Sequence, residues 1–342
     1  MSQDPSELTP REAAHRYLDR RRQELTEDTI QSYYYRLKLW WEWCEDQNVH
    51  QVGDLSGWLF EQYEAHRSGE DLAASTIHNE METLEGFVSY LERIEAVDGG
   101  LSEKVHVPTV PKDQRSREKM LEPDDAITLI KFYRQSDDWY GTRFHAFLEL
   151  AWHTAARVGA IRALDLRDYD RSESCIEFIH RPETDTGLKN KNEGERMVSL
   201  LDPVCDALNA YLEEHRHDRH DSYGRSPLFT SMQGRPQPGT FRTWSYQATQ
   251  PCLHEPCPHG YNRETCEFIT HNKASQCPSS RSPHHVRTGS MTWHRDRGVP
   301  KEVLRERANA SEDVIEEYYD KAGRRDRMEI RRRPHLHKLE IE

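Results

Sequence analysis

Two arginines, a histidine, two lysines and a pair of adjacent tyrosines stand in short, separated stretches whose residue types suit attack on a phosphate. TAARVGAIRALDLRDYD, residues 154–170, holds Arg157 behind an apolar run, and SPHHVRTGS, residues 282–290, places Arg287 three residues after His284. Between them the polar, Gly-containing segment TDTGLKNKNEGE carries Lys189 and Lys191, and EEYYDK, residues 316–321, carries Tyr318 and Tyr319. A phosphodiester resists nucleophiles because its oxygens are negative. A pentavalent transition state gathers still more charge, which guanidinium forks such as Arg157 and Arg287 can neutralise bidentately. A tyrosine hydroxyl, pKa about 10, attacks only when a positioned acceptor takes its proton, and His284 is the candidate base.

A second constellation is made of metal-ligand types. Cys252, Cys257, Cys266 and Cys277 fall within CLHEPCPHGYNRETCEFITHNKASQC together with His254, His259 and His271. In a cytosolic chain such clustering favours metal over disulfides, and four thiols suffice for a tetrahedral structural zinc. The four cysteines are the expected ligands, with His259 or His271 as substitutes for one of them. Their irregular spacing is not a pair of CxxC knuckles, and free thiols are the alternative. The insert runs directly into SPHHVR, so a zinc clip there would steady His284 and Arg287.

Taken in order, the pieces of the first constellation resemble the tyrosine recombinase (phage integrase) family, including archaeal halophilic members with a Cys-rich insert. That family has an Arg in a motif of the form T-G-x-R-x-x-E-L-x-x-L-x-x-x-D, a Lys in a β-hairpin, H-x-x-R opening a helix, and a nucleophilic Tyr about three dozen residues later. Arg157, His284 and Arg287 fall on this pattern, as does Ser282-Pro283 before the His. The resemblance covers roughly residues 1 to 325 and implies DNA cleavage and rejoining through a 3′-phosphotyrosine. The hairpin Lys would be the general acid that protonates the departing 5′ oxygen. Lys189, after Thr-Gly-Leu, is preferred for that role over Lys191, which lies five residues before Arg196. Tyr319, 35 residues after His284, is preferred over Tyr318, because successive helical residues point about 100° apart and only one can face a phosphate.

Bond energy would be conserved in the phosphotyrosine, so rejoining needs no ATP and no catalytic cofactor. The resemblance also implies double-stranded DNA as partner and a tetramer on two DNA sites. Two departures stand out: Ala160 occupies the usual acidic position, and Asn309 and Ala310 stand where a His or Trp is common. Asn309 could still donate a hydrogen bond to a phosphate oxygen, but it cannot act as an acid. Competing readings are a type IB topoisomerase-like nicking and closing enzyme, and a non-catalytic sequence-specific DNA-binding protein of the same fold.

The elements that must position these residues are mainly helical. Thr9-Pro10-Arg11-Glu12 is a capping box, and Thr26 is expected to cap a second helix whose stripe runs Ile30, Tyr33, Tyr34, Leu37, Trp40, Trp41, Cys44. Further helices are expected over residues 55–66 and 75–91, making a compact bundle. Residues 99–119 read as a linker by composition. Beyond it, Glu122-Pro123 opens a helix, residues 144–152 suggest a buried one, 174–180 and 196–200 alternate as strands, and 202–215 read as a helix. The expected class is mainly α with a small β-hairpin or sheet: a helical DNA-binding domain over 1–105, a linker over 106–119, a mixed α+β catalytic domain over 120–330 with the Cys/His insert at 252–277, and a tail over 331–342 that is either frayed or docked on a neighbouring protomer.

A formal net charge of −13, from 60 acidic and 47 basic residues, argues at first against a DNA ligand. Only 11 of the 47 basic residues are Lys, and an Arg-rich, acid-covered chain resembles proteins of salt-loving cells. At high salt, long-range steering is screened, so recognition there depends on close Arg contacts. The absence of an apolar membrane span or signal-like segment points to a cytoplasmic protein.

Overall fold

The computed structural model describes residues 4–111, 119–315, 323, 325, 327–333 and 336, which fall into two compact units, one within 1–117 and one within 118–342.

The first unit is helical. Helix α1 (Pro10–Arg21) starts on the expected reciprocal cap, with Glu12 N donating to Thr9 Oγ1 at 3.2 Å and Thr9 N donating to Glu12 Oε2 at 3.0 Å. Helix α2 (Glu27–Asp46) begins after Thr26, but the Thr26 hydroxyl pairs with Thr29 Oγ1 at 3.0 Å instead of capping a backbone amide. Helices α3 (Gly57–Ser68) and α4 (Ala74–Arg93) complete the bundle. Trp40 and Tyr63 meet edge to face at 4.9 Å in its core. Arg67 and Glu80, both buried, pair bidentately at 2.8 and 3.0 Å and fix α3 against α4. Residues 99–119 are not a plain tether over their first part. Leu101 and Val105 are buried in the bundle core, Glu92 takes the Ser102 N–H at 2.7 Å, and His78 Nδ1 lies 2.8 Å from the Pro108 carbonyl. Two apolar side chains and a side-chain cap outweigh the Gly and Pro content there; residues 112–118 lie outside the described residues.

In the second unit, α5 (Pro123–Gln135), α6 (Arg143–Thr154) and the short α7 (Val158–Ala163) lead into an antiparallel sheet of β1 (Tyr169–Asp170), β2 (Cys175–Phe178) and β3 (Arg196–Ser199). Phe178 pairs with Arg196, so all of 179–195 is the connection between β2 and β3. Strand β1 is too short to leave an alternating pattern and is absent from the sequence-based expectation. The helix expected over 202–215 is α8 (Asp202–Ala210) followed by a wider π-helical turn over Tyr211–His215. Then follow α9 (Pro238–Ala248), α10 (Pro283–Asp296) and α11 (Lys301–Ala308). Helix α6 is buried from His145 to Thr154 and forms the centre. Among the described residues no helix is long and apolar enough to cross a membrane.

Helix α10 is pressed against the segment before α5: Leu121 N donates to the His285 carbonyl at 3.0 Å. A Cβ on Gly289 would lie 1.9 Å from the Leu121 carbonyl oxygen and 3.2 Å from the Trp152 ring. Both neighbours are buried and cannot retreat. Gly289→Ala is therefore expected to destabilise the second unit by about 3 kcal/mol, the upper range for overpacking a core, seen as a fall in Tm on the order of 10 °C. A variant melting with the wild type would show that the helix and segment separate easily.

Candidate active site

Helix α6 ends at Ala155, whose left-handed φ of +50° turns the chain so that Arg157 stands at the start of α7. Helix α10 starts as its sequence predicts: Ser282 accepts from the His285 N–H at 3.4 Å and Pro283 occupies the first turn. His284 is thus in the first turn and Arg287 one turn on. Arg287, 2% exposed, donates from Nη1 to two carbonyls at helix C-termini, those of Ala155 and, at 2.8 Å, Ala308. Orphan carbonyls at helix ends are natural acceptors for a guanidinium. One side chain in α10 thereby ties the ends of α6 and α11 together.

The connection between β2 and β3 is folded on itself rather than open. Arg181 pairs bidentately with Asp168 at 2.8 and 2.6 Å, anchoring it to the turn before β1, and His180 Nδ1 accepts from the Leu188 N–H at 2.8 Å. Asn190 and Lys191 both have left-handed φ, +74° and +51°, and the sharp turn there separates the two candidate lysines.

These pieces meet around one cavity of about 280 Å³ lined by Arg157, Ala160, Lys189, Arg196, His284 and Arg287, among others, with Ala308 and Asn309 at its side. Of the expected residues it brings together Arg157, Lys189, His284, Arg287 and Asn309; Lys191 does not line it. Tyr318 and Tyr319 lie outside the described residues. Among the described residues no Asp or Glu lines the cavity, and Ala160 stands at the position where an acid is common in the family. His284 is held below its ordinary pKa, first by burial and then by Arg287, Arg157 and Lys189, which favours its neutral form.

Sequence reasoning passed over Arg196 as a site residue. It is pushed down to about 10 by burial and by the nearby Arg157 and Arg307. Its Nε donates to the Arg307 carbonyl and its Nη1 to the Gly194 carbonyl, each at 2.8 Å, and its guanidinium lies over the Phe178 ring at 4.2 Å. A desolvated guanidinium repelled by other cations is a place where an anion binds well. The only sequence signal was an Arg opening a strand, which is common on any surface.

The cysteine insert is built of short single turns. All seven cysteines are unpaired thiols. Among the described residues no three His, Cys, Asp or Glu side chains come together to hold a metal ion, so Cys252, Cys257, Cys266 and Cys277 do not converge, with or without His259 or His271. Several of the donors have other partners. Arg263 Nη1 lies 2.9 Å from Cys252 Sγ, His259 Nε2 lies 2.8 Å from Ser279 Oγ, and His271 Nδ1 lies 3.3 Å from Asn272 Oδ1. Gln250 Nε2 donates to the Phe268 carbonyl at 2.8 Å and closes the insert through its backbone.

No family model matches the chain. Among curated proteins it is similar to tyrosine recombinase XerD of Staphylococcus epidermidis, 24% identical over 217 residues that span 62% of this chain and 67% of that protein. It is also similar to tyrosine recombinase XerC of Thermodesulfovibrio yellowstonii, 27% identical over 165 residues, 47% of this chain and 50% of that one. Among solved structures it matches the Tn1549 transposon integrase in complex with a circular intermediate DNA, with 14% identity, TM-score 0.64, and coverage of 97% of this chain and 100% of that one. A lambda integrase dimer bound to a COC′ core site matches with 13% identity, TM-score 0.61, and coverage of 94% and 79%. The fold is therefore mainly helical with a small antiparallel sheet, the architecture of the tyrosine recombinase and integrase catalytic domain.

Proposed function

We propose that this chain is a site-specific DNA recombinase or integrase of the tyrosine type. The observation that carries the reading is the cavity: in a chain of net charge −13, it gathers Arg157, Lys189, Arg196 and Arg287 around His284. Such a site is selective for a phosphate whose charge grows during reaction.

In the proposed reaction the Tyr319 oxygen attacks the scissile phosphorus while His284 accepts its proton. The phosphorus–5′-oxygen bond breaks, and Lys189 gives a proton to the departing oxygen. The DNA 3′ phosphate is left on the tyrosine, and a 5′ hydroxyl attacking that bond reverses the sequence. Arg157 and Arg287 hold the phosphate oxygens. Arg196 adds positive charge from the wall. Double-stranded DNA is the partner, and a tetramer on two sites the working assembly. The helical first unit supplies further duplex contact. The acid-rich surface suits work at high salt, where the close cavity contacts remain effective. The test is a nicked duplex from which the cleaved end diffuses away: the wild-type protein in molar KCl is expected to accumulate a denaturation-resistant protein–DNA adduct. Specific binding without any adduct would make the chain a DNA-binding protein of the same fold.

A structural zinc on the insert is a separate proposal, supported by its donor set of four thiols in 26 residues. Binding it requires the insert to rearrange from the closed turns described above. Protein prepared without chelator is expected to carry about one zinc per chain, released in Cys257→Ser; elemental analysis that finds none rules the zinc out.

A further inference from the structure

Asn309 terminates α11 in the left-handed conformation, φ +51°, and its amide reaches across to the connection that carries Lys189. Nδ2 donates to the Lys189 carbonyl at 3.1 Å, and Oδ1 accepts from Asn190 Nδ2 at 3.0 Å. Only this orientation of the amide places an N–H on the carbonyl. The Asn309 backbone carbonyl in turn accepts from Arg157 Nη1. One residue therefore holds two consecutive residues of the lysine-bearing turn with its side chain and an arginine with its main chain.

Gly194 supports the same geometry from an independent direction. It is buried beneath the contact, and a Cβ there would lie 2.7 Å from Asn309 Nδ2 and 2.7 Å from the Lys189 carbonyl oxygen. A side chain at 194 would wedge between the two atoms of the hydrogen bond. The Gly194 carbonyl is itself held by Arg196 at 2.8 Å, which limits how far the main chain can move aside.

Given the proposed cleavage reaction, we infer that Asn309 is a positioning residue whose side-chain amide holds Lys189 at the departing 5′ oxygen. The amide is turned to the protein, not to the phosphate. It acts on proton delivery by fixing the backbone of the acid. A general acid loses effect steeply when it is misplaced, because proton transfer requires hydrogen-bond contact with the leaving atom.

The acid can be tested by removing the need for it. When sulfur replaces the 5′ bridging oxygen, the phosphorus–sulfur bond breaks to leave a thiolate, whose conjugate acid is far stronger than an alcohol, so no proton has to be supplied in the transition state. Two variants break the contact from different elements. Asn309→Gly removes the amide yet tolerates the positive φ, and Gly194→Ala keeps the amide but obstructs it. Adduct formation is measured for both, for Lys189→Ala and for the wild type, on nicked duplexes with oxygen or sulfur at the bridging position, with Tm recorded for each protein.

Both variants are expected to be roughly tenfold slow on the oxygen substrate, against about 10² or more for Lys189→Ala. All three are expected to return to within about threefold of the wild type on sulfur, where only the acid is bypassed. Equal slowing on both substrates would mean that Asn309 merely holds the fold, and full activity on oxygen would mean that the contact is idle; either overturns the inference. If one variant fails to fold, the other still decides. A wild type that forms no adduct on either substrate instead removes the recombinase reading and the inference with it, an outcome distinct from slow variants beside an active wild type.

Discussion

Tyr319→Phe is expected to abolish the covalent adduct while leaving DNA binding intact, because it removes the proposed attacking oxygen and leaves every arginine and lysine in place. The neighbouring Tyr318→Phe is expected to be nearly silent, since the proposed reaction uses a single tyrosine oxygen and the spacing from His284 favours Tyr319. Gel-resolved adduct formation on a nicked duplex reads both. An adduct that survives in Tyr319→Phe and vanishes in Tyr318→Phe moves the nucleophile by one position. Survival in both would require a nucleophile elsewhere in the chain.

The second large effect belongs to Arg287. Removing its guanidinium takes one positive fork from the transition state, and by analogy with the loss of one oxyanion donor the rate is expected to fall by about 10² to 10³. The structure adds a second consequence. Arg287 Nη1 also satisfies the carbonyls of Ala155 and Ala308, so Arg287→Ala leaves acceptors buried without partners and lowers stability as well, by about 1–3 kcal/mol. Arg287→Lys separates the two effects: it keeps the charge but loses the planar fork. Single-turnover rates with a Tm for each protein give the answer. A Lys variant that melts like the wild type but cleaves far more slowly assigns the loss to phosphate contact, whereas Arg287→Ala with an unchanged cleavage rate would remove Arg287 from the reaction.

What could be read from the sequence was what is encoded locally. The Thr9 capping box and the Ser282-Pro283 start are helix signals confined to four residues, and both stand in the structure where expected. His284 and Arg287 follow directly, being placed by the helix they begin. Lys189 lines the cavity and Lys191 does not, and the sequence reason for preferring Lys189, a preceding Thr-Gly, said nothing of the left-handed turn that separates the two lysines.

Long-range geometry escaped. Arg196 enters the cavity through its pairing with Phe178 and its bond to the carbonyl of Arg307, 111 residues away. Asn309 could be noted as a departure from the expected residue type, but its engagement with Lys189, 120 positions earlier, is a tertiary fact. The cysteines show the converse. Spacing supplies donors, whereas what each thiol meets, such as Arg263 beside Cys252, is a tertiary fact that no count of thiols reveals. Leu101 and Val105 are buried anchors in a stretch whose average composition alone reads as linker.

The carbonyls of Ala308 and Asn309, which orient Arg287 and Arg157, lie only a few residues before the pair Tyr318-Tyr319. Synthesis runs from the N-terminus, so the acceptors that aim both guanidiniums leave the ribosome almost together with the proposed nucleophile. A nascent or truncated chain that stops before residue 308 has neither the acceptors nor the tyrosine. In the proposed reaction, cleavage is therefore withheld until residues 308–319 have all been made.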